Sequence, residues 1–148
     1  MTHELPHATV ATIVEKDNKF LLVRERSQGR LVYNQPAGHI ENGESIQAAA
    51  IRETYEETGW RVIPEAFMGV SIYHAPNGIT YVRNTLSATP SQHDIDASLD
   101  DGIEAAVWLS HEEILKLKAE LRSPIVLKVI EDYIAGKSYP LDLLYEHR

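Results

Sequence analysis

Short apolar runs, separated by a polar turn, open the chain. Residues 8–14 are small or β-branched, residues 20–24 are mostly aliphatic or aromatic, and the polar stretch 16–19 lies between them. Runs of this composition are typical of β-strands. The pattern therefore predicts that the chain begins with two strands joined by a turn.

A second pair of strands is predicted near the middle of the chain. The runs 67–73 and 80–86 flank Ala75-Pro76-Asn77-Gly78, and an Asn-Gly pair between two such runs is a strong signal for a hairpin. Residues 91–104 follow as an acidic loop, and the apolar residues 105–109 predict one further strand.

Three helices are indicated by their capping residues. Residues 45–58 contain no Pro or Gly and end at Gly59, where glycine adopts the left-handed conformation at little cost. The other two helices have a capping box in one case and a Ser-Pro start in the other. Their signal positions are Ser110 with Glu113, and Ser123 with Pro124 and Gly136.

A long loop is predicted between the second strand and the first helix. Residues 27–43 include Gly29, Pro36, Gly38 and Gly43 and show no steady periodicity. Long ordered loops in compact domains are more often functional than not. This loop is therefore the first place to look for chemistry.

The order of these elements predicts an α+β fold. Strands and helices do not alternate as they do in a doubly wound parallel sheet, so a mixed β-sheet with helices on its faces is favoured. The chain has 148 residues, of which 43% are hydrophobic, and this is enough for one core. We therefore expect a single domain over residues 1–148.

Charge and composition exclude several classes of function. The formal charge of −8, from 14 basic and 22 acidic residues, has the wrong sign for binding nucleic acid. A ligand rich in phosphate would need a bridging cation. The chain has no cysteine, so disulfides and thiolate sites are excluded. It also has no long apolar run, and its start, Met1 to His7, lacks a targeting pattern. We expect a cytoplasmic protein with no membrane contact.

Three carboxylates converge on one face of the first predicted helix. Glu53, Glu56 and Glu57 are spaced i, i+3 and i+4, so they share an arc of about 100°. Their repulsion needs a positive partner, and Arg52 can balance only one charge. Several carboxylate oxygens suit a hard cation, Mg²⁺ or Mn²⁺, whereas zinc more often takes histidine. The alternative is a solvated acidic helix face.

Three further observations favour a metal site over a solvated face. Ile46, Ala49 and Ala50 precede the carboxylates on the same arc, so this face is expected to meet protein. The segment 36–38 could offer a backbone carbonyl to a cation. A distant acidic group could supply one more ligand, and we select Glu104 ahead of Asp101. That group consists of Asp94, Asp96, Asp100, Asp101 and Glu104.

One spacing joins the loop to the helix. Glycine is followed after five residues by glutamate, and after seven more by Arg-Glu, a Glu-Glu pair and a final glycine. These positions are Gly38, Glu44, Arg52-Glu53, Glu56-Glu57 and Gly59. In this spacing the chain resembles the Nudix box of the Nudix hydrolases. It departs from the usual pattern at Ala37, where many members have glycine, and at Thr54, where an aliphatic residue is usual.

The resemblance extends over most of the chain to the bacterial NudJ-type Nudix phosphatases, through the segments 34–39, 121–124 and 138–141. It implies an α/β/α sandwich with a mixed sheet, in which the box forms a loop-helix-loop motif. It also implies Mg²⁺-dependent hydrolysis, with Mn²⁺ as a substitute, of a nucleoside diphosphate linked to another group.

Site residues are carried over from the family by position. Arg52 would orient the glutamates. Glu53 or Glu57 would accept the proton of the attacking water, and Glu53 is our choice. The implied metal ligands are Glu53, Glu56, Glu57 and the main-chain carbonyl of Ala37, and the implied structural positions are Gly38, Glu44 and Gly59.

Substrate contacts are predicted from the arginines and aromatic residues near the loop. Arginines suit phosphate groups, although each could equally be an ordinary surface residue. The candidates are Arg24, Arg26 and Arg83, together with Gln35. Tyr73, Tyr81 and Trp60 are candidates for stacking a base, and Trp108 is expected to serve packing.

The resemblance predicts removal of phosphate from nucleoside tri- and diphosphates, and hydrolysis of the pyrimidine pyrophosphate precursor of thiamine. A small phosphorylated molecule is thus the expected partner. Three alternatives stay open. They are another Nudix substrate (a dinucleoside polyphosphate, an oxidised nucleotide or a nucleotide sugar), a non-catalytic nucleotide-sensing module, and an acidic metal buffer. The oligomeric state is not indicated.

Overall fold

A computed structural model describes residues 4–148, so part of the segment used for the targeting prediction, residues 1–3, lies outside it. The strands are β1 (His7–Lys16), β2 (Lys19–Ser27), β3 (Arg30–Asn34), β4 (Ala37–His39), β5 (Trp60–His74), β6 (Thr80–His93) and β7 (Ile103–Leu109). The helices are α1 (Ile46–Thr58), α2 (His111–Lys116) and α3 (Pro124–Ile134), with short 3₁₀ turns at Lys118–Glu120 and Leu141–Leu143. Within residues 4–148, no helix is long and apolar enough to cross a membrane.

The strand β1 organises a mixed sheet. It pairs in parallel with β6 and antiparallel with β4, and near its end it forms a hairpin with β2. On the far side of β6 lies β5, and β2 pairs with both β3 and β7. The predicted α+β class with a mixed sheet is confirmed.

Helices cover both sides of β1. The side chains of Val10 and Ile13 point to opposite faces of the strand because they are three positions apart. Val10 belongs to a core cluster with Ala49 and Ala50 of α1. Ile13 belongs to a cluster with Ile130 of α3. The site helix α1 therefore packs on one face of the sheet, and α3 packs on the other.

The predicted long loop over residues 27–43 is wrong in part, because it contains β3 and β4. Gln28 and Gly29 have positive φ angles of 52° and 78°, as a two-residue hairpin turn between β2 and β3 requires. β4 then pairs with β1 over three residues. Short strands like these depend on their partners for hydrogen bonds, so local periodicity does not reveal them.

The central hairpin is also longer than its apolar runs predict. β5 and β6 begin and end well beyond residues 67–73 and 80–86, and β6 takes up the first residues of the predicted acidic loop. Register shifts interrupt the pairing at three places along β5. Such bulges break the simple alternation of polar and apolar side chains, so the outer halves of both strands carry a weak sequence signal.

The predicted helix ends are confirmed by their caps. Ser45 accepts a hydrogen bond from the Ala48 amide before α1, and Gly59 ends the helix at φ 76°. Ser110 and Glu113 form the reciprocal capping box of α2. At the start of α3, Ser123 accepts from the Ile125 amide.

The buried hydroxyl of Thr54 in α1 is expected to lower the free energy of unfolding. Its side chain is fully buried, and its hydroxyl has no hydrogen-bond partner within residues 4–148. A buried hydroxyl without a partner costs about 1–3 kcal/mol, and valine has nearly the same shape. We expect Thr54→Val to raise the free energy of unfolding by about 1 kcal/mol, measured by urea denaturation.

The matched control for this variant is Thr58→Val. The Thr58 hydroxyl donates to the Thr54 carbonyl (2.6 Å) and accepts from the Trp60 amide (3.1 Å). Removing it is expected to destabilise the protein by about 1 kcal/mol. A Thr54→Val protein less stable than the parent would contradict the interpretation.

Candidate active site

The second half of α1 presents two carboxylates toward β4. Glu53 and Glu57 are one helical turn apart, and Glu57 is only 8% exposed. The Glu57 Oε1 atom accepts a hydrogen bond from the Ala37 amide at 2.9 Å. The third glutamate, Glu56, is more exposed, with 35% of its side chain accessible. The predicted face of α1 therefore meets protein at Glu57 and solvent near Glu56.

A third carboxylate joins this pair from a distant loop. One oxygen each of Glu53, Glu57 and Asp100 lie within 4.8 Å of one another. The Asp100 amide donates to the Glu56 carbonyl at 3.0 Å, which fixes the loop against α1. The structure does not bring Glu104 into this group, because Arg26 donates to its carboxylate at 3.1 Å. The acidic loop was predicted to contribute, but only its docking identifies Asp100 as the residue that reaches the group.

Burial and mutual repulsion disfavour the charged forms of this group. Burial, reinforced by Glu25 and Glu53, raises the pKa of Glu57 to about 8 against the opposing hydrogen bond from Ala37. Burial also raises the pKa of Glu53, with Arg52 acting in the opposite direction. Burial thus disfavours the ionised state of these carboxylates, and a nearby positive charge would favour it.

Arg52 links the loop to the carboxylates. Its guanidinium donates two hydrogen bonds to Glu44, at 2.7 and 3.0 Å. It also donates to Glu53 at 2.7 Å and to Glu56 at 2.9 Å, and to the His39 carbonyl at 3.0 Å. The Arg52 hydrogen bonds hold the pKa of Glu44 below its usual value. This arrangement favours the predicted positioning roles of Arg52 and Glu44.

Gly38 allows Glu53 to approach β4. A Cβ atom at this position would overlap the Glu53 carboxylate. Gly59 has a different requirement, since its φ of 76° is left-handed and a Cβ atom would come within 2.8 Å of the Asp94 carbonyl oxygen. Gly38 thus leaves space for the Glu53 carboxylate, whereas Gly59 allows the left-handed backbone conformation that ends α1.

Gly38→Ala is expected to reduce activity at least about tenfold with little loss of stability, because the flexible end of Glu53 can move aside but then leaves its position. Gly59→Ala is the contrasting variant. Its main effect is expected on the free energy of unfolding, a loss of about 1–2 kcal/mol. Parallel turnover and denaturation measurements test this pair. Full activity in Gly38→Ala would show that the close contact is not required.

Glu53 and Glu57 line a cleft of about 620 Å³. Its walls come from β4, the β2–β3 turn, the tip of the β5–β6 hairpin and the segment before α3. The aromatic rings of Tyr73 and Tyr81 stack at a centroid distance of 6.5 Å beside it. The charged and aromatic side chains in its lining are Glu25, Arg30, His39, Glu41, Glu53, Glu57, Tyr73, Tyr81, Arg83 and Arg122.

The predicted substrate residues are divided between two places. Arg83 lines the cleft and donates to the Gln35 side chain at 2.7 Å. Gln35 is itself buried and donates to the Val126 carbonyl at 2.9 Å, so it supports Arg83 from behind. Among the described residues, Arg24 and Arg26 lie outside the cleft.

The predicted stacking residues are divided in the same way. Tyr73 and Tyr81 line the cleft, whereas Trp60 lies outside it in the described part of the chain. Trp60 stacks on His93 at 4.5 Å and meets Trp108 edge-on. The expected packing role of Trp108 is confirmed.

Sequence reasoning missed Glu25 and Arg122 as cleft residues. Arg122 donates to the Glu25 carboxylate at 2.6 Å, and Glu25 is 8% exposed. Glu25 shares the inward face of β2 with Val23, since alternate residues of a strand point the same way. An acidic residue at a core-facing position was therefore the available signal. The position of Arg122 could not be predicted, because it is set where the segment before α3 passes beside β3. There the Arg122 amide donates to the Tyr33 carbonyl.

A family model described as the NUDIX domain matches residues 5–129. The chain therefore belongs to the Nudix family, and it is a Nudix hydrolase. It is 39% identical over 139 residues to the phosphatase NudJ of Shigella boydii, covering 94% of this chain and 90% of that protein. The phosphatase NudJ of Escherichia coli K12 is 38% identical over the same length. A solved Nudix hydrolase from Nitrosomonas europaea superposes with a TM-score of 0.94 at 46% identity, covering 97% of this chain and 98% of that one.

The donor set fits the divalent cation that the family uses. Glu53, Glu57 and Asp100 offer only oxygen atoms, from two elements that are fixed to each other. Oxygen-only donors suit Mg²⁺, Mn²⁺ and Ca²⁺ better than zinc. The raised pKa of Glu57 is in agreement, because a bound cation would favour the ionised form that burial, and then repulsion from neighbouring carboxylates, disfavours.

Proposed function

We propose that the protein is a Mg²⁺-dependent phosphoanhydride hydrolase that releases phosphate from nucleoside tri- and diphosphates and related small pyrophosphates. One observation carries the proposal. Glu53 and Glu57, which form a group of three carboxylates with Asp100, line a cleft that also contains the buried Arg83. Such a cleft can hold a cation and a polyphosphate side by side.

A bound Mg²⁺ would neutralise phosphate charge, orient the anhydride and lower the pKa of a water molecule. Glu53 is proposed to take the proton of the attacking water as its oxygen bonds to phosphorus. The bond from phosphorus to the bridging oxygen then breaks, and its electron pair leaves with that oxygen. Arg52 holds the Glu53 carboxylate in place, and the Ala37 amide holds Glu57.

The choice of substrate rests on the relatives. Proteins named phosphatase NudJ align over 94% of the chain, and the name supports release of phosphate. On the basis of the same resemblance, we propose the pyrimidine pyrophosphate precursor of thiamine as a further substrate. The negative charge of −8 supports a small-molecule partner over nucleic acid. The cytoplasmic location remains a prediction.

The proposal is tested by a screen of about fifty phosphorylated metabolites, with Mg²⁺, with Mn²⁺ and with EDTA, in which chromatography identifies the products. Phosphate release from nucleotides that requires the cation is expected. Hydrolysis confined to dinucleoside polyphosphates, oxidised nucleotides or nucleotide sugars would replace the proposed substrate class.

Two other results would replace the enzymatic proposal altogether. Tight nucleotide binding without turnover would indicate a sensing module. Metal affinity that does not respond to nucleotide, again without turnover, would indicate a metal buffer.

A further inference from the structure

The cleft contains a buried arginine that has no acidic hydrogen-bond partner in the described part of the chain, residues 4–148. Arg83 of β6 is only 7% exposed. Its Nη2 atom donates to the side-chain oxygens of Asn34 (3.2 Å) and Gln35 (2.7 Å), which are neutral amides. Its Nε atom has no hydrogen-bond partner within residues 4–148. Arg83 thus retains both charge and hydrogen-bonding capacity for an anion that enters the cleft.

A second arginine lies close to the first. Arg122 lines the same cleft, and its proximity contributes, after burial, to lowering the pKa of Arg83 to about 10. Glu25 pairs with Arg122 at 2.6 Å and can neutralise only one of the two cations. This part of the cleft therefore carries a net positive charge, although the protein as a whole is acidic.

The cleft thus has two regions of opposite charge. Glu53 and Glu57 lie in the acidic region, and Arg83 and Arg122 form the basic one. On the basis of the proposed function, we propose that Arg83 and Arg122 bind the substrate phosphate farther from the carboxylates. We further propose that they select substrates in which this phosphate is terminal.

Burial explains the selection for a terminal phosphate. A phosphate that reaches Arg83 must enter a part of the cleft where little of the guanidinium is accessible. A phosphate that is linked to a further group carries a substituent for which we expect no space around the buried Arg83. A terminal phosphate also presents three oxygens and more charge to the planar guanidinium.

Binding of ADP and ADP-ribose to the Glu53→Gln protein tests this proposal. ADP ends in a free phosphate, and ADP-ribose carries a sugar on the same phosphate. Calorimetric titration in the presence of Mg²⁺ measures both dissociation constants, because the Glu53→Gln substitution suppresses turnover. We expect ADP to bind at least about tenfold more tightly than ADP-ribose, and Arg83→Gln to reduce this ratio to below about two.

Two further variants complete the experiment. Arg122→Gln alters a side chain that is 45% exposed, so it tests the proposal even if Arg83→Gln does not fold. It is expected to reduce the ratio at least about threefold. Arg61→Gln is the matched control, because it removes a positive charge that lies over Tyr55, outside the cleft lining. It should leave the ratio unchanged.

Equal affinity for the two ligands in the Glu53→Gln protein would overturn the proposal, as would undiminished discrimination in the arginine variants. These outcomes are distinguishable from failure of the proposed function. If the Glu53→Gln protein prefers ADP but the parent protein hydrolyses no substrate, the phosphate site is present and the proposed enzymatic function is wrong. A protein that hydrolyses nucleotides without this preference is the enzyme and lacks the proposed selection.

Discussion

Glu53→Gln is expected to reduce turnover at least about 10²-fold, because glutamine keeps the shape of the side chain and cannot accept the proton of water. Arg52 donates to the Glu53 Oε1 atom at 2.7 Å, and the amide oxygen of glutamine can accept the same hydrogen bond. The loss should therefore fall on the chemical step. Phosphate release at saturating substrate and Mg²⁺ measures it.

The control for this prediction is Glu112→Gln, which makes the same chemical change at a side chain of α2 that is 83% exposed. Its turnover should equal that of the parent protein. Nucleotide binding by Glu53→Gln, measured by titration, separates a lost chemical step from lost affinity. Unchanged turnover in Glu53→Gln would remove this residue from the mechanism.

Glu57→Gln is expected to stabilise the metal-free protein at neutral pH while abolishing metal-dependent activity. The pKa of Glu57 is raised by burial to about 8, above its ordinary value of 4.5. The folded state therefore binds more protons than the unfolded state between these two values, and stability falls as the pH rises from about 4.5 to about 8. At pH 7 the cost is about 3 kcal/mol, which glutamine does not incur.

Urea denaturation in EDTA at pH 5, 7 and 8 measures this difference. The parent protein should lose stability across the series, and Glu57→Gln should lose much less. Addition of Mg²⁺ should then raise the stability of the parent more than that of the variant, because the cation favours the ionised carboxylate. Identical pH profiles for the two proteins would show that Glu57 does not carry this cost.

The stability and activity effects at Glu57 have a common cause. The packing that buries this carboxylate, and so raises its pKa, also holds it beside Glu53 and Asp100. A cation site needs converging negative charges, and such charges repel one another when the cation is absent. The protein therefore accepts a less stable fold at the place where it would bind the metal.

Several features of the site followed directly from local sequence. The caps Ser45 and Gly59 define the ends of α1, and a spacing of four residues brings Glu53 and Glu57 to one face. Helix ends and helix faces depend on residues within a few positions of each other. These predictions therefore needed no knowledge of the rest of the chain.

Other features depended on elements that meet only in the folded protein. The choice between Asp100 and Glu104 depends on which part of the acidic loop docks on α1, and Arg26 instead pairs with Glu104. Likewise, Arg24 and Arg83 both lie on strands, and only Arg83 lines the cleft. Composition does not distinguish between these pairs, since their members have similar side chains.

The sequence by itself determined the family motif, the acidic helix face and the class of fold, because each is encoded by short-range spacing or by the order of elements. Only the tertiary structure decided that Asp100 completes the carboxylate group, and that Arg83 and Arg122 line the same cleft as Glu53 and Glu57. The reason is physical. Strand pairing and loop docking bring together residues that are far apart along the chain, and the free energy of those contacts comes from burial and hydrogen bonding between elements.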